Sequence, residues 1–170
     1  MKKIVILTGI LLLVLACNNT QTPHHLSHQK PVINKLLNQW HKDVATYNYT
    51  DYFDAMDEDM VFVGTDASER WTKKEFMKFS KPYFDSEKTW NFKPVKRNIS
   101  IYENTAWFDE ILDTWMGICR GSGVLVYKNN QWKITQYVLS VTVPNKVVTQ
   151  VIQLKKAKDS MTIRKLKAMN

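Results

Sequence analysis

The hydrophobic period of this chain changes once, near Trp90, and that change limits its fold more than any other feature. Before Trp90, apolar residues recur every three or four positions; after it they recur at every second position as far as Pro144. Pro31 opens a segment in which Ile33, Leu36, Leu37, Trp40, Val44 and Tyr47 fall at helical spacing. A proline suits a first helical turn, where its missing N–H has no partner to lose. The spacing predicts a helix that ends near Asn48, then a short second helix from Thr50 that turns Tyr52, Phe53 and Met56 inward. Met60 to Val63 reads as a brief strand stopped by Gly64-Thr65-Asp66. Thr72-Lys73-Lys74-Glu75 is a capping box, in which threonine caps the helix and glutamate reaches back to the cap. The helix it starts carries Phe76, Phe79 and Tyr83, and Pro82 ends or kinks it.

Beyond the switch, Trp90 and Phe92 begin a strand, Pro94 marks an irregularity, and Val95, Arg97, Ile99 and Ile101 alternate with polar neighbours. Glu103-Asn104 turns into a second strand, Thr105 to about Trp115, and a third runs Arg120 to Tyr127. Asn129-Asn130 suits a two-residue hairpin turn because asparagine tolerates positive φ, and a fourth strand covers Gln131 to Val143. Three helices followed by a meander of long strands predict an α+β domain with its helices on one face of a curved antiparallel sheet. A last helix is expected from about Lys146 to Leu154, with Val147, Val148, Val151 and Ile152 on one side. No repeat appears, and Arg120-Gly121-Ser122-Gly123 lacks the following helix that a nucleotide-binding loop requires.

The flanks differ from this domain. Lys2 and Lys3, the apolar run Ile4 to Leu15 and the small Ala16 have the order of a secretory signal, and the run is short of the ~20 residues of a membrane span. Val14-Leu15-Ala16-Cys17 resembles the lipobox of bacterial lipoproteins, which implies cleavage after residue 16 and a lipid on Cys17. The chain is then expected in the cell envelope, held to a membrane through Cys17. With Cys17 lipidated, the remaining Cys119 has no disulfide partner and reads as a small buried apolar group. Residues 17–30 read as a polar tether whose His24, His25 and His28 are solvated. The domain is bounded at 31–154, and residues 155–170 form a basic tail that either lies on anionic headgroups or is a solvated, frayed helix. Without the two leader lysines the formal charge falls from +8 to +6. Basic charge outside the core together with export gives no case for nucleic acid.

Four stretches carry a resemblance over nearly all of Pro31 to Asn145: Trp40-His41, Gly64-Thr65-Asp66 through Glu69-Arg70-Trp71, Ala106 to Glu110, and Arg120 to Leu125. The closing run Trp132-Lys133-Ile134, Tyr137, Leu139-Ser140 and Pro144-Asn145 agrees with them. Together they resemble the SnoaL-like branch of the nuclear transport factor 2-like superfamily. The resemblance implies a cone-shaped, cystatin-like α+β fold with three N-terminal helices on its concave face. It also implies a small-molecule cup at the mouth of the cone and an open sheet face through which such folds form homodimers.

Alternation places Trp107, Asp109, Ile111 and Asp113 opposite Phe108, Glu110 and Leu112, and Trp132, Ile134, Gln136, Val138 and Ser140 on one face of the last strand. Both faces carry aromatics, so the pattern alone does not choose between them; Asp109 and Gln136 are favoured as inward. On that choice Asp109 is a candidate general base, walled by Trp107 and Ile111, and Arg120 its ion-pair partner or an anchor for an anionic ligand. His41, within the domain, is a candidate acid or base. Trp40, Trp71, Trp107, Arg120 and Gln136 are candidate ligand contacts. Packing, capping or rim roles are the plainer reading of these residues. The base, tyrosine and protonated aspartic acid of ketosteroid isomerases do not map onto this chain, and Val138 is apolar where relatives carry polar groups. No metal-ligand spacing and no cofactor motif are found. A non-catalytic cup for a small apolar or amphipathic molecule is favoured. An acid–base isomerase, cyclase or hydrolase and a dimerising scaffold stay open.

Overall fold

The computed structural model describes residues 27–169; the leader, Cys17 and most of the tether lie outside the described residues. Helix α1 (Lys30–Ala45) buries Ile33, Leu37, Trp40 and Val44, the stripe that the sequence spacing predicts. It stops at Ala45 rather than near Asn48, because Tyr47 turns the chain with φ 61°. Asn48 caps the next helix, its side chain accepting the Asp51 N–H at 3.4 Å, so α2 covers Tyr49–Asp54. Met56, expected on that helix, instead begins strand β1 (Met56–Val63). Strand β2 (Arg70–Thr72) leads into α3 (Lys73–Asp85), and the capping box is formed. The Thr72 N–H donates to Glu75 Oε2 at 2.8 Å while Thr72 Oγ1 accepts from the Glu75 N–H. Pro82 sits inside the last turns of α3 without ending it.

Strands β3 (Lys93–Tyr102), β4 (Thr105–Thr114), β5 (Gly117–Lys128) and β6 (Gln131–Val141) form the meander. Trp90 and Phe92 precede β3 instead of starting it, and the irregularity at Pro94 is a register shift that leaves Val95 unpaired. Asn129 and Asn130 both adopt positive φ, 51° and 61°, as the two-residue turn requires. The sheet order is β2-β1-β6-β5-β4-β3, with β1 parallel to β6 and every other pair antiparallel. The sheet is curved and unclosed, and α1 to α3 lie over its concave face.

A second register shift decides which side chains enter the interior. Val124 of β5 pairs with Gln136 and Leu125 with Ile134, so Thr135 is an extra residue in β6. Its hydroxyl donates to the Val124 carbonyl at 3.2 Å. A bulge of this kind reverses the alternation beyond it. Trp132 and Ile134 are buried ahead of the bulge, and Tyr137 and Leu139 are buried after it. On β4 the buried set is Ala106, Phe108, Glu110, Leu112 and Thr114. Cys119 is fully buried on β5.

After a turn at Asn145–Val147, helix α4 runs Val148–Ala168 and buries no residue. It passes straight through the boundary expected at residue 154, so the basic segment after it is a continuation of the helix. No described helix is long and apolar enough to cross a membrane.

Candidate functional site

Two arrangements in the interior bear on function, one polar and closed, the other aromatic and open. The closed one centres on Glu110, which is 0% exposed. His41 Nε2 lies 2.8 Å from Glu110 Oε1, and the Tyr137 hydroxyl donates to the same oxygen at 3.1 Å. Arg97, the cross-strand partner of Glu110, donates from Nε to Oε2 at 2.8 Å and brings Nη2 within 2.7 Å. Its Nη1 donates to Asn34 Oδ1 at 2.7 Å and Asn38 Oδ1 at 2.8 Å. Asn34, Asn38 and His41 share one side of α1, so the cluster fastens that helix to the sheet.

Burial pushes the Glu110 carboxyl up, but the hydrogen bond and charge of His41 and the charge of Arg97 outweigh it, and the group is held below the ordinary carboxylate range. Burial drives the Tyr137 phenol well above its usual range, and the Glu110 charge drives it further. Both oxygens of Glu110 are occupied by protein donors, and its partners His41 and Tyr137 are buried with it. The cluster therefore holds a charge in place and presents no free group to a substrate. Its backbone setting explains Gly121: a Cβ there lies 2.2 Å from the Tyr137 hydroxyl and 2.8 Å from Glu110 Oε1. Gly123 is similarly tight, with a Cβ 2.7 Å from the Phe108 ring.

The open arrangement is a cup of about 160 Å³ between β1, β2, α3 and the β4–β5 turn. Phe62 stacks on Phe76 at 4.0 Å and Trp71 on Phe79 at 4.5 Å. Trp90, Phe92, Met116 and Leu139 complete the wall, and Trp115, 81% exposed, stands at the rim. Glu69 is the charged residue of the lining; its Oε2 accepts the Asp66 N–H at 3.1 Å.

The expected site residues divide between these places and the outer sheet face. His41 is in the Glu110 cluster, Trp71 is in the cup, and Trp40 is buried against Tyr52 in a parallel stack at 5.1 Å. Trp107, Asp109, Arg120 and Gln136 are exposed on the outer face, which corrects the inward placement of Asp109 and Gln136. Two physical causes account for it: the Thr135 bulge reverses β6, and the glycines of β5 make room for Glu110 and Phe108 on the inner side. Asp109 accepts from Asn98 Nδ2 at 3.0 Å and pairs across the sheet with Ser122. Arg120 stands opposite Ile111 and Ser140, and no ion pair joins it to Asp109. Sequence reasoning missed Arg97, Glu110 and Tyr137 as a group. The available signal was the alternation of Gly121 and Gly123, which marks the strand face where large side chains cross closely.

A curved, unclosed sheet wrapped on three helices around an aromatic mouth defines the cone-shaped α+β class. Residues 33–144 match the SnoaL-like domain family, and the chain belongs to that family. A comparison with curated proteins gives no match. Among solved structures it is similar to a nuclear transport factor 2-like protein of unknown function from Pseudomonas putida KT2440. That likeness has 11% identity and TM-score 0.60, over 71% of this chain and 91% of that one. A nuclear transport factor 2-like protein from Cytophaga hutchinsonii ATCC 33406 is similar at 15% identity and TM-score 0.58, over 67% and 98% of the two chains. A protein of unknown function with a cystatin-like fold from Nostoc punctiforme PCC 73102 is similar at 13% identity and TM-score 0.55, over 65% and 88%. At these identities the likeness establishes the fold alone.

Proposed function

We propose that the protein is a lipid-anchored envelope protein whose aromatic cup holds a small, partly apolar molecule without transforming it. The observation that carries this reading is the cup itself, with its stacked walls of Phe62, Phe76, Trp71 and Phe79 around an opening at Trp115. Its volume of about 160 Å³ is on the order of cavities that take up one benzene ring, roughly 150 Å³. The fit is therefore to a single ring or a short branched chain, with Glu69 and Thr65 at the polar edge. The acid–base alternative has less support, because Glu110 and His41 satisfy each other out of reach of the cup and Asp109 faces outward. The leader and Cys17 support the anchor.

One preparation tests both parts. Full-length protein extracted from its membranes in detergent is expected to carry a diacylglyceryl mass on Cys17, and Cys17→Ala to lose both the lipid and membrane retention. Titrated with indole, p-cresol and benzyl alcohol, it is expected to show tryptophan fluorescence shifts and a higher melting temperature. Ligand at a hundred times its Kd adds about 2.7 kcal/mol. Trp71→Ala is expected to abolish the response, and the compound to be recovered unchanged. An unmodified Cys17 refutes the anchor; silence toward all three compounds refutes the cup; a product on incubation refutes the non-catalytic reading.

A further inference from the structure

Charge is divided unevenly along the chain. Residues 30–147 carry sixteen basic and fifteen acidic side chains, close to balance. Helix α4 carries Lys155, Lys156, Lys158, Arg164, Lys165 and Lys167 against Asp159 alone. Asp159 is taken by Lys155 at 3.3 Å, which leaves the other five basic side chains of the helix without an ion pair among the described residues. The helix buries no side chain, and its principal packing is on the turn that precedes it. Its β-branched Val148, Thr149, Val151, Ile152, Thr162 and Ile163 lower its intrinsic helix preference, so a helix of 21 residues stands here with little support from its own domain.

Two features decide what can cover it. Leu154, Lys158, Met161 and Lys165 follow one another at i, i+4, i+7 and i+11, so they form one stripe along the helix. All four are exposed, Leu154 at 85% and Met161 at 52%. Apolar tips between lysines suit a boundary where hydrocarbon lies beside phosphate, because a lysine stem runs along apolar surface while its ammonium reaches an anion. A second helix is a poor cover. Every heptad register along α4 puts a lysine or arginine at a seam position, where a paired helix needs an apolar side chain.

We propose that α4 docks along an anionic lipid surface, its lysine and arginine side chains on headgroup phosphates and Leu154 and Met161 in the boundary beneath them. The proposal rests on the anchored reading of the chain, since a protein held at a membrane meets that surface at high local concentration. Docking of this helix also has a direction. The Thr142 N–H and hydroxyl both donate to the Ile118 carbonyl, so the chain leading into α4 is tied beside the β4–β5 turn. Trp115 of that turn stands at the rim of the cup. A docked α4 therefore holds the cup's end of the sheet at the membrane.

The test uses the full chain, extracted in detergent and reconstituted into phosphatidylcholine vesicles with or without phosphatidylglycerol. Met161→Cys carries an environment-sensitive fluorophore, and the buried Cys119 is left unlabelled. The label is expected to brighten and shift to the blue when phosphatidylglycerol is present. It is expected to return to its phosphatidylcholine level in about 1 M salt, where the screening length is about 3 Å. Lys158→Gln keeps the helix preference and is expected to lower the docked-to-free ratio about fivefold, the equivalent of ~1 kcal/mol for one basic residue. Glutamine at all six basic positions of α4 is expected to hold the label at its phosphatidylcholine level and to leave the melting temperature unchanged, because the helix buries nothing. Equal signals in the two vesicles, indifference to salt, or a signal that follows protein concentration in both, as α4 pairing with a second copy would give, overturns the proposal. Loss of the protein from phosphatidylcholine vesicles refutes the anchor instead. Docking then stands only if phosphatidylglycerol vesicles retain the chain and salt releases it.

Discussion

Glu110 and Asp43 are both buried carboxylates, one on β4 and the other on α1, and the protein treats them differently. Glu110 meets a guanidinium, an imidazole and a phenol, and every donor comes from a different element: β3, α1 and β6. Asp43 meets two amides from its own neighbourhood in sequence, Gln39 and Asn48, and no cation. Glu110 is thereby a joint between elements, whereas Asp43 is a local feature of the end of α1. Burial alone does not distinguish a carboxylate that joins elements from one that serves its own segment; the origin and charge of its donors do.

The largest expected effect comes from breaking the compensated side of the contrast. Arg97→Ala strands the Glu110 charge and frees Asn34 and Asn38 from the sheet, so it is expected to destabilise the domain by about 3–5 kcal/mol. Urea unfolding followed by tryptophan fluorescence measures it, and a loss under about 1 kcal/mol means that the cluster does not hold α1 down.

The next effect, of intermediate size, is a difference in sign with pH. The Glu110 carboxyl is held below its unfolded value, so its contribution is present above roughly pH 4 and is lost as pH falls through its lowered folded value. The Asp43 carboxyl is raised, so its cost is present at neutral pH and is relieved as pH falls toward the unfolded value. Unfolding midpoints from pH 7 to acid are therefore expected to show the deficit of Glu110→Gln shrinking in acid, and any advantage of Asp43→Asn shrinking too. Parallel curves for the parent and either variant dissolve the contrast for that residue.

The smallest effect sharpens the comparison from the adjacent position. Asp109 is next to Glu110 in sequence but exposed, with one amide donor. Asp109→Asn is expected to shift stability by less than about 0.5 kcal/mol and to leave ligand binding in the cup unchanged. A large loss of either would return Asp109 to the site from which its orientation removes it.

Much of this was legible in the chain. The helical stripe of α1, the Thr72 capping box, the Asn129-Asn130 turn and the alternation of the long strands all follow from local chemistry, and so did the α+β class. What was not legible was phase. Period two says that Asp109 and Glu110 face opposite ways, but it does not say which way is in, and aromatic residues on both faces removed the usual cue. On β6 the pattern was also misread as continuous, since Thr135 does not advertise a bulge by composition. Its effect appears only when β5 is paired beside it. The length of α4 was only half legible for another reason: a helix that buries nothing shows no apolar periodicity to follow beyond Leu154, so a solvated helix was one of two readings of the basic segment.

The Thr135 bulge also has a consequence for how such a domain can diverge. Everything downstream in β6 takes its orientation from one extra residue. Deleting Thr135 would leave a strand that alternates without interruption, with Trp132, Ile134, Tyr137 and Leu139 still inward. Flattening the bulge with the residue kept would do the opposite: Gln136, Val138 and Ser140 would turn to the interior, and Tyr137 and Leu139 would look out. An amide and a hydroxyl would then replace a phenol and a leucine beside Glu110 and the cup without any substitution at those positions. In this architecture the backbone conformation of one residue, rather than the identity of the wall residues, decides between an inert wall and a polar one.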